Sequence, residues 1–147
     1  LRSNSRMRMP ANKRTDAYLD VVEQAGLSAL VREVEFVKPD DEKGAVVAKI
    51  LDENPDIDGI FAGDDTMAAI CLNVMKQRGL STPDDIKVVG ADGARRTMTF
   101  MPDLTTVRQD IDRIGELAAQ SIIALINGEK PESNIKLPVE LIEGKTA

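Results

Sequence analysis

The chain has 147 residues, with 19 Lys plus Arg against 25 Asp plus Glu, no His, no Trp and one Cys, for a formal charge of −6. This length is large enough for one ordinary domain with its own core. The absence of His removes every His-based triad and metal site, the single Cys removes intrachain disulfides and Cys-cluster metal sites, and no run of 18 apolar residues spans a membrane. An acidic chain is a poor stand-alone ligand for nucleic acid, yet the charge is uneven. The first 14 residues carry Arg2, Arg6, Arg8, Lys13 and Arg14 with no acid, while the other 133 carry 14 bases and 25 acids. The basic stretch reads as a phosphate-binding arm or a solvated loop, the loop being the ordinary case. No signal peptide is recognisable, and the start at Leu1 rather than Met is what a fragment or processed piece would show.

In chain order, Asn12 offers an N-cap to a helix over about 13–25, with Ala17, Tyr18, Val21, Val22 and Ala25 at helical spacing and Gly26 as terminator. Ala29 to Val37 is short and β-branched, as a strand would be. Asp40 or Asp41 caps a helix whose stripe is Val47, Ile50 and Leu51, and Asn54-Pro55 stops it. Gly59 to Ala62 reads as a buried strand. Asp65 or Thr66 then caps a helix with Met67, Ile70, Cys71, Val74 and Met75 inward, closed by Gly79. Cys71 reads as a buried, reduced thiol. A turn through Thr82-Pro83-Asp84 leads to a strand with Ile86, Val88 and Val89.

Strand, helix, strand, helix, strand over 29–90 predicts βαβ units: an α/β fold with a parallel sheet in a three-layer arrangement. Beyond it, Ala91 to Phe100 is polar and Leu104 to Val107 extended. Asp110 caps a helix with Ile111, Ile114, Ala118, Ile122 and Leu125 on one face, ended by Asn127-Gly128. A last strand carries Ile135, Leu137, Val139 and Leu141. No internal repeat is visible.

Ligands of open parallel sheets bind beyond the carboxyl ends of the strands. Two strands end there in acids, at Asp64-Asp65 and at Asp92, each beside a glycine. Arg14 is the third candidate. A guanidinium fork with carboxylates suits adjacent sugar hydroxyls, which donate to one and accept from the other. Each residue also has a plain reading: Asp65 as an N-cap, Asp64 and Asp92 as turn acids, Arg14 as a surface charge. Paired acids could hold Mg²⁺, but no Walker or dinucleotide glycine loop accompanies them, and nucleophilic catalysis lacks a base. Residue chemistry alone therefore reaches an α/β ligand-binding domain and no enzyme.

Four segments then carry a family resemblance. They are Arg14-Thr-Asp-Ala-Tyr18, Asp58-Gly-Ile-Phe-Ala-Gly-Asp-Asp-Thr-Met-Ala-Ala69, Gly79-Leu-Ser-Thr-Pro-Asp-Asp-Ile-Lys-Val-Val-Gly-Ala-Asp92 and Pro102-Asp-Leu-Thr-Thr-Val-Arg-Gln109. In order and spacing they resemble the LacI/GalR family of bacterial transcriptional regulators. The resemblance implies part of a periplasmic-binding-protein-like effector core without its DNA-binding headpiece. Residues 1–103 would form the C-terminal subdomain. Residues 104–136 would be a crossover strand and helix belonging to the N-terminal subdomain, and 137–147 a returning strand and tail. It also implies an effector site at Arg14, Asp64, Asp92 and Gln109, for a mono- or disaccharide. A homodimer surface would include Ala69, Ile70, Thr99 and Phe100, and operator DNA would be bound through the absent headpiece. The protein would be cytoplasmic, with no cofactor, no metal and no membrane contact. Two positions depart from the family pattern: Asp64 stands where Asn is usual, and Ala91 where an aromatic is usual. The Asp92-Gly93 pair resembles the sucrose-operon branch. A sugar-binding protein of a transport system shares the fold and stands as the alternative. By the same resemblance the apolar face of the helix near 111–127 lacks its partner in this chain, and is expected to be displaced, disordered or buried against another copy.

Overall fold

A computed structural model describes residues 2–4, 10–35 and 37–147. Arg6, Arg8 and Phe36 lie outside the described residues, as does Leu1. Among the described residues, five strands and four helices run in close alternation, with one further helix and strand at the end. They are β1 (Arg2–Asn4), α1 (Pro10–Gln24), β2 (Glu33–Glu35), α2 (Asp40–Glu53), β3 (Gly59–Phe61), α3 (Asp65–Gln77), β4 (Lys87–Asp92), α4 (Arg95–Phe100), β5 (Thr105–Gln109), α5 (Ile111–Ile126) and β6 (Val139–Ile142).

The strands form two sheets. β1 and β2 pair in parallel, Arg2 opposite Glu33 and Asn4 opposite Glu35. The larger sheet has the order β3-β4-β5-β6, parallel from β3 to β5 and antiparallel at β6. An α/β chain with parallel strands is therefore what the alternating pattern implied, with an antiparallel edge added. Within the stretch read as a strand over 29–37, the described strand is β2, in which Val34 is buried between exposed Glu33 and Glu35.

The core lies where α2 and α3 meet each other and the sheet. Val47 and Leu51 come from α2, and Met67, Ala68, Cys71, Val74 and Met75 from α3. Ala62, Val88 and Leu104 come from the sheet side. Full burial of side chains such as Met75, Leu104 and Val88 contributes roughly 1.5–3 kcal/mol each. Leu104, Thr105 and Thr106 are all buried, so β5 starts as an integral strand of this sheet. The tail returns to it: Thr146 Oγ1 donates to Val88 O at 2.7 Å and accepts from Thr105 N at 2.9 Å.

The helix ends differ from the sequence reading in three places. α1 spans Pro10–Gln24, so Asn12 lies inside the helix and not at its cap. At α2 the N-cap is Pro39 without a side-chain bond, and Asp40 and Asp41 instead place charge in the first turn. At α3 the cap is Asp64, whose Oδ1 accepts from Met67 N at 2.8 Å, rather than Asp65 or Thr66. Asp110 caps α5 as expected, accepting from Arg113 N at 2.9 Å.

Neither α1 nor α5 buries any described residue. In α1 the expected inward Val21 is exposed. In α5 the face of Ile111, Ile114 and Ile122 lies in solvent, reaching 78% exposure at Ile126, although it is the most strongly amphipathic helix of the chain. Exposed Val139 and Leu141 of β6 extend the apolar surface. Among the described residues no helix is long and apolar enough to cross a membrane.

Candidate functional site

Three strands deliver the site at their carboxyl ends. β3 runs into Gly63 and Asp64, β4 ends on Asp92 and β5 ends on Gln109. Because β4 and β5 pair in register, with Asp92 opposite Arg108, Gln109 reaches the same end of the sheet. α1 brings Arg14 across to it.

The side chains meet there. Arg14 Nη2 donates to Asp92 Oδ1 at 2.6 Å and Nη1 donates to Gly63 O at 2.5 Å. Gln109 Nε2 donates to the same Asp92 Oδ1 at 2.7 Å. Both bonds converge on one carboxylate oxygen, and neither uses Oδ2. The ion pair is half-exposed, with side chains 23% and 36% accessible for Arg14 and Asp92, so the groups are organised and still reachable. Beside Arg14 opens a cavity of about 240 Å³, lined by Tyr18, Val31, Ile50, Ile60 and Phe61 among others. It shares Arg14 and Gly63 with the cluster and runs from there along β3 to Asp58 and Gly59, without Asp92 or Gln109 in its lining.

Of the four effector-site residues read from the sequence, the structure joins Arg14, Asp92 and Gln109 directly. Asp64 sits next to Gly63 at the same strand end, but its Oδ1 is committed to the α3 cap. Ala69 and Ile70 lie on α3 and line a shallow groove with Ala45 and Ala48 of α2. Thr99 and Phe100 lie on α4, where Thr99 Oγ1 donates to Arg95 O at 2.9 Å and Phe100 is 75% exposed.

One residue goes beyond its sequence reading. Asp65 is only 3% exposed. Its Oδ1 accepts from Thr106 Oγ1 at 2.6 Å and its Oδ2 accepts from Gly93 N at 2.9 Å. It is no cap; it ties α3 to β5 and to the turn that follows β4. Burial pushes its pKa up, hydrogen bonds from Thr106, Gly93 and Ala94 oppose this, and the charge of Asp92 adds to the rise. A trace existed in the sequence: Gly90 interrupts an apolar strand, a mark of close approach. A Cβ there would stand 2.5 Å from Asp65 Oδ1. Asp64 and Asp65 thus turn their carboxylates to protein N–H and O–H donors in different places. Among the described residues no group of three or more Cys, Asp or Glu is placed to hold a metal ion.

Asp92 has φ 113°, the one positive value at a described non-glycine residue. Such a backbone costs on the order of 1–3 kcal/mol and persists only where its surroundings hold it.

Comparison with known proteins gives a consistent neighbourhood. The family model for a periplasmic binding protein-like domain matches residues 2–147. The ribose operon repressor of Halalkalibacterium halodurans is 32% identical over 93% of this chain and 41% of its own length. The sucrose operon repressor of Pediococcus pentosaceus is 33% identical over 94% of this chain and 43% of its own length. Among solved structures, a LacI family transcriptional regulator from an Arthrobacter species, in complex with lactose, superposes with a TM-score of 0.82 at 26% identity, covering 99% of this chain and 54% of that one. The chain therefore spans about two fifths of the length of these curated relatives.

Proposed function

This chain belongs to the periplasmic-binding-protein-like domain family, and from that premise we propose that it is the sugar-effector-binding and dimerisation portion of a LacI/GalR-type transcriptional repressor. The observation that carries the reading is the Arg14–Asp92–Gln109 cluster at the carboxyl ends of the strands. A polyhydroxyl ligand matches it chemically. Asp92 Oδ2 accepts from one ligand hydroxyl, while the remaining N–H groups of Arg14 and Gln109 donate to its neighbours. Asp64 departs from the family's usual Asn and adds an acceptor rather than a donor. We read the cluster as a binding site, in keeping with the regulators this chain resembles.

In this reading the sheet with α2 and α3 is one wall of a cleft, and the other wall belongs to a subdomain outside these residues. We keep the division read at 103/104, with the difference that the buried start of β5 at Leu104, Thr105 and Thr106 supports attaching those residues to this core. What turns toward the second subdomain is then the apolar face of α5 with Val139 and Leu141 of β6. Effector binding across the cleft favours the closed arrangement and biases operator binding by a headpiece at a distance. Such a regulator acts in the cytoplasm, on DNA. Ala69 and Ile70 on α3, with Thr99 and Phe100 on α4, are the surface for the second copy.

Calorimetry with ribose, sucrose and lactose tests the reading. A full-length form should bind at least one sugar and lose that binding in Arg14→Ala and Asp92→Ala. The 147-residue chain, with one wall, should bind weakly or not at all. Micromolar binding to the chain alone would contradict the two-wall cleft.

A further inference from the structure

Asp65 bonds Gly93, the neighbour of Asp92, and not Arg14 or Gln109, and its burial needs an explanation. A carboxylate taken out of water costs free energy unless its oxygens are bonded. A helix first turn can satisfy an acid without burying it. Here the buried oxygens are spent on two other elements: Thr106 in β5 and the N–H of Gly93. Gly93 follows Asp92 directly, and Asp92 has the left-handed φ of 113°. Gly93 is itself at φ 58°, and a Cβ on it would come within 2.6 Å of Arg108 Cβ, so the turn is closed by steric contact on its other side. Gly90, cleared of a side chain, lets the Asp65 carboxylate reach in.

We propose that Asp65 is the positioning residue of the effector site: it holds the Asp92–Gly93 turn in its strained form, so that the Asp92 carboxylate meets Arg14 and Gln109. It acts through the backbone of the turn and touches no ligand. The consequence for sugar affinity rests on the effector-site reading above; the consequence for Asp92 does not. Without the bond to Gly93 N, Asp92 relaxes toward the extended backbone that its side chain prefers. Its carboxylate then leaves the Arg14 fork.

The test is NMR of the 147-residue chain in three variants, with sugar titration of a full-length form as a separate arm. Asp65→Ala removes both acceptors. Asp65→Ser keeps a polar group in the first helical turn but is too short for Gly93. Asp65→Asn keeps an acceptor for Gly93 N, and its amide can donate to Thr106 Oγ1. In Asp65→Ala and Asp65→Ser the Gly93 amide should lose protection from solvent exchange. The Asp92 HN–Hα coupling should take the large value of extended backbone, and the Arg14 guanidinium signals should move to their free positions. Asp65→Asn should restore all three, which a merely stabilising residue would not do selectively. A folded Asp65→Ala or Asp65→Ser with unchanged Asp92 and Arg14 signals overturns the proposal, as does an Asp65→Asn chain whose Asp92 is released. In the full-length form, Asp65→Ser should weaken binding of whichever of ribose, sucrose or lactose is bound by about tenfold, and Asp65→Asn should restore it. A wild type that binds none of the three counts against the effector reading and leaves the Asp92 result standing.

Discussion

Arg14 and Asp92, 78 positions apart in the chain, meet at 2.6 Å, while the other terminal nitrogen of the same guanidinium holds Gly63 O. One side chain thus ties the helix α1 to the ends of two strands. The pair is half-exposed, so solvent screens it and its share of fold stability is small, below about 1 kcal/mol.

The variant Arg14→Lys separates geometry from charge. A lysine keeps the positive charge but has one ammonium where the guanidinium offers two directed nitrogens, so it cannot serve Gly63 O and Asp92 together. In a full-length form Arg14→Lys should weaken sugar binding about tenfold or more, with a urea midpoint near that of the wild type. Calorimetry and urea unfolding read the two effects separately.

Asp64 should behave as a cap first. Asp64→Ala removes the acceptor for Met67 N and should cost about 1 kcal/mol of stability. Asp64→Asn caps equally well and should unfold at an unchanged urea concentration. If Asp64→Ala is as stable as Asp64→Asn, the cap contributes nothing.

The raised pKa of Asp65 gives a pH signature with a defined sign. Its value is pushed above the usual 3.8, chiefly by burial. Between the unfolded and folded values the native state binds more protons, so the contribution of this group is most favourable below 3.8 and is lost as pH rises through the raised folded value. Asp65→Asn has no such proton. The stability of Asp65→Asn minus that of the wild type should therefore grow with pH across that window and then level off. A difference that is flat or shrinking with pH would be the wrong sign.

Cys71 is fully buried, and burial pushes its thiol up to about 11. Thiol reagents act on the thiolate. At about pH 8 the folded chain should resist iodoacetamide, and denaturant should expose one reactive thiol per chain. Rapid labelling of the native protein would place Cys71 outside the core.

The unpartnered face of α5 should govern association. Ile114→Glu with Ile122→Glu changes only exposed positions, so stability should move by no more than about 0.5 kcal/mol for each. Dye binding to apolar surface and self-association in sedimentation should both fall. A large loss of stability would mean that the face is covered within the chain.

What the sequence by itself determined follows from local physics. The α/β alternation, the glycine terminators at Gly26, Gly79 and Gly128 and the inward face of α3 were legible because period and turn chemistry are properties of neighbouring residues. The family motifs located Arg14, Asp92 and Gln109, but only the tertiary structure decided that they share one carboxylate oxygen. Their contact depends on β4 and β5 pairing in register and on α1 crossing to the strand ends. Asp65 shows the limit most clearly. Two adjacent acids at the start of a helix are interchangeable to a local reading. Their roles separated only when the fold put Met67 N beside one and Thr106 with Gly93 beside the other. The fate of α5 is likewise non-local: its pattern determines an apolar face, and which surface covers that face is set by chain packed against it, and the described residues leave Ile111, Ile114 and Ile122 exposed.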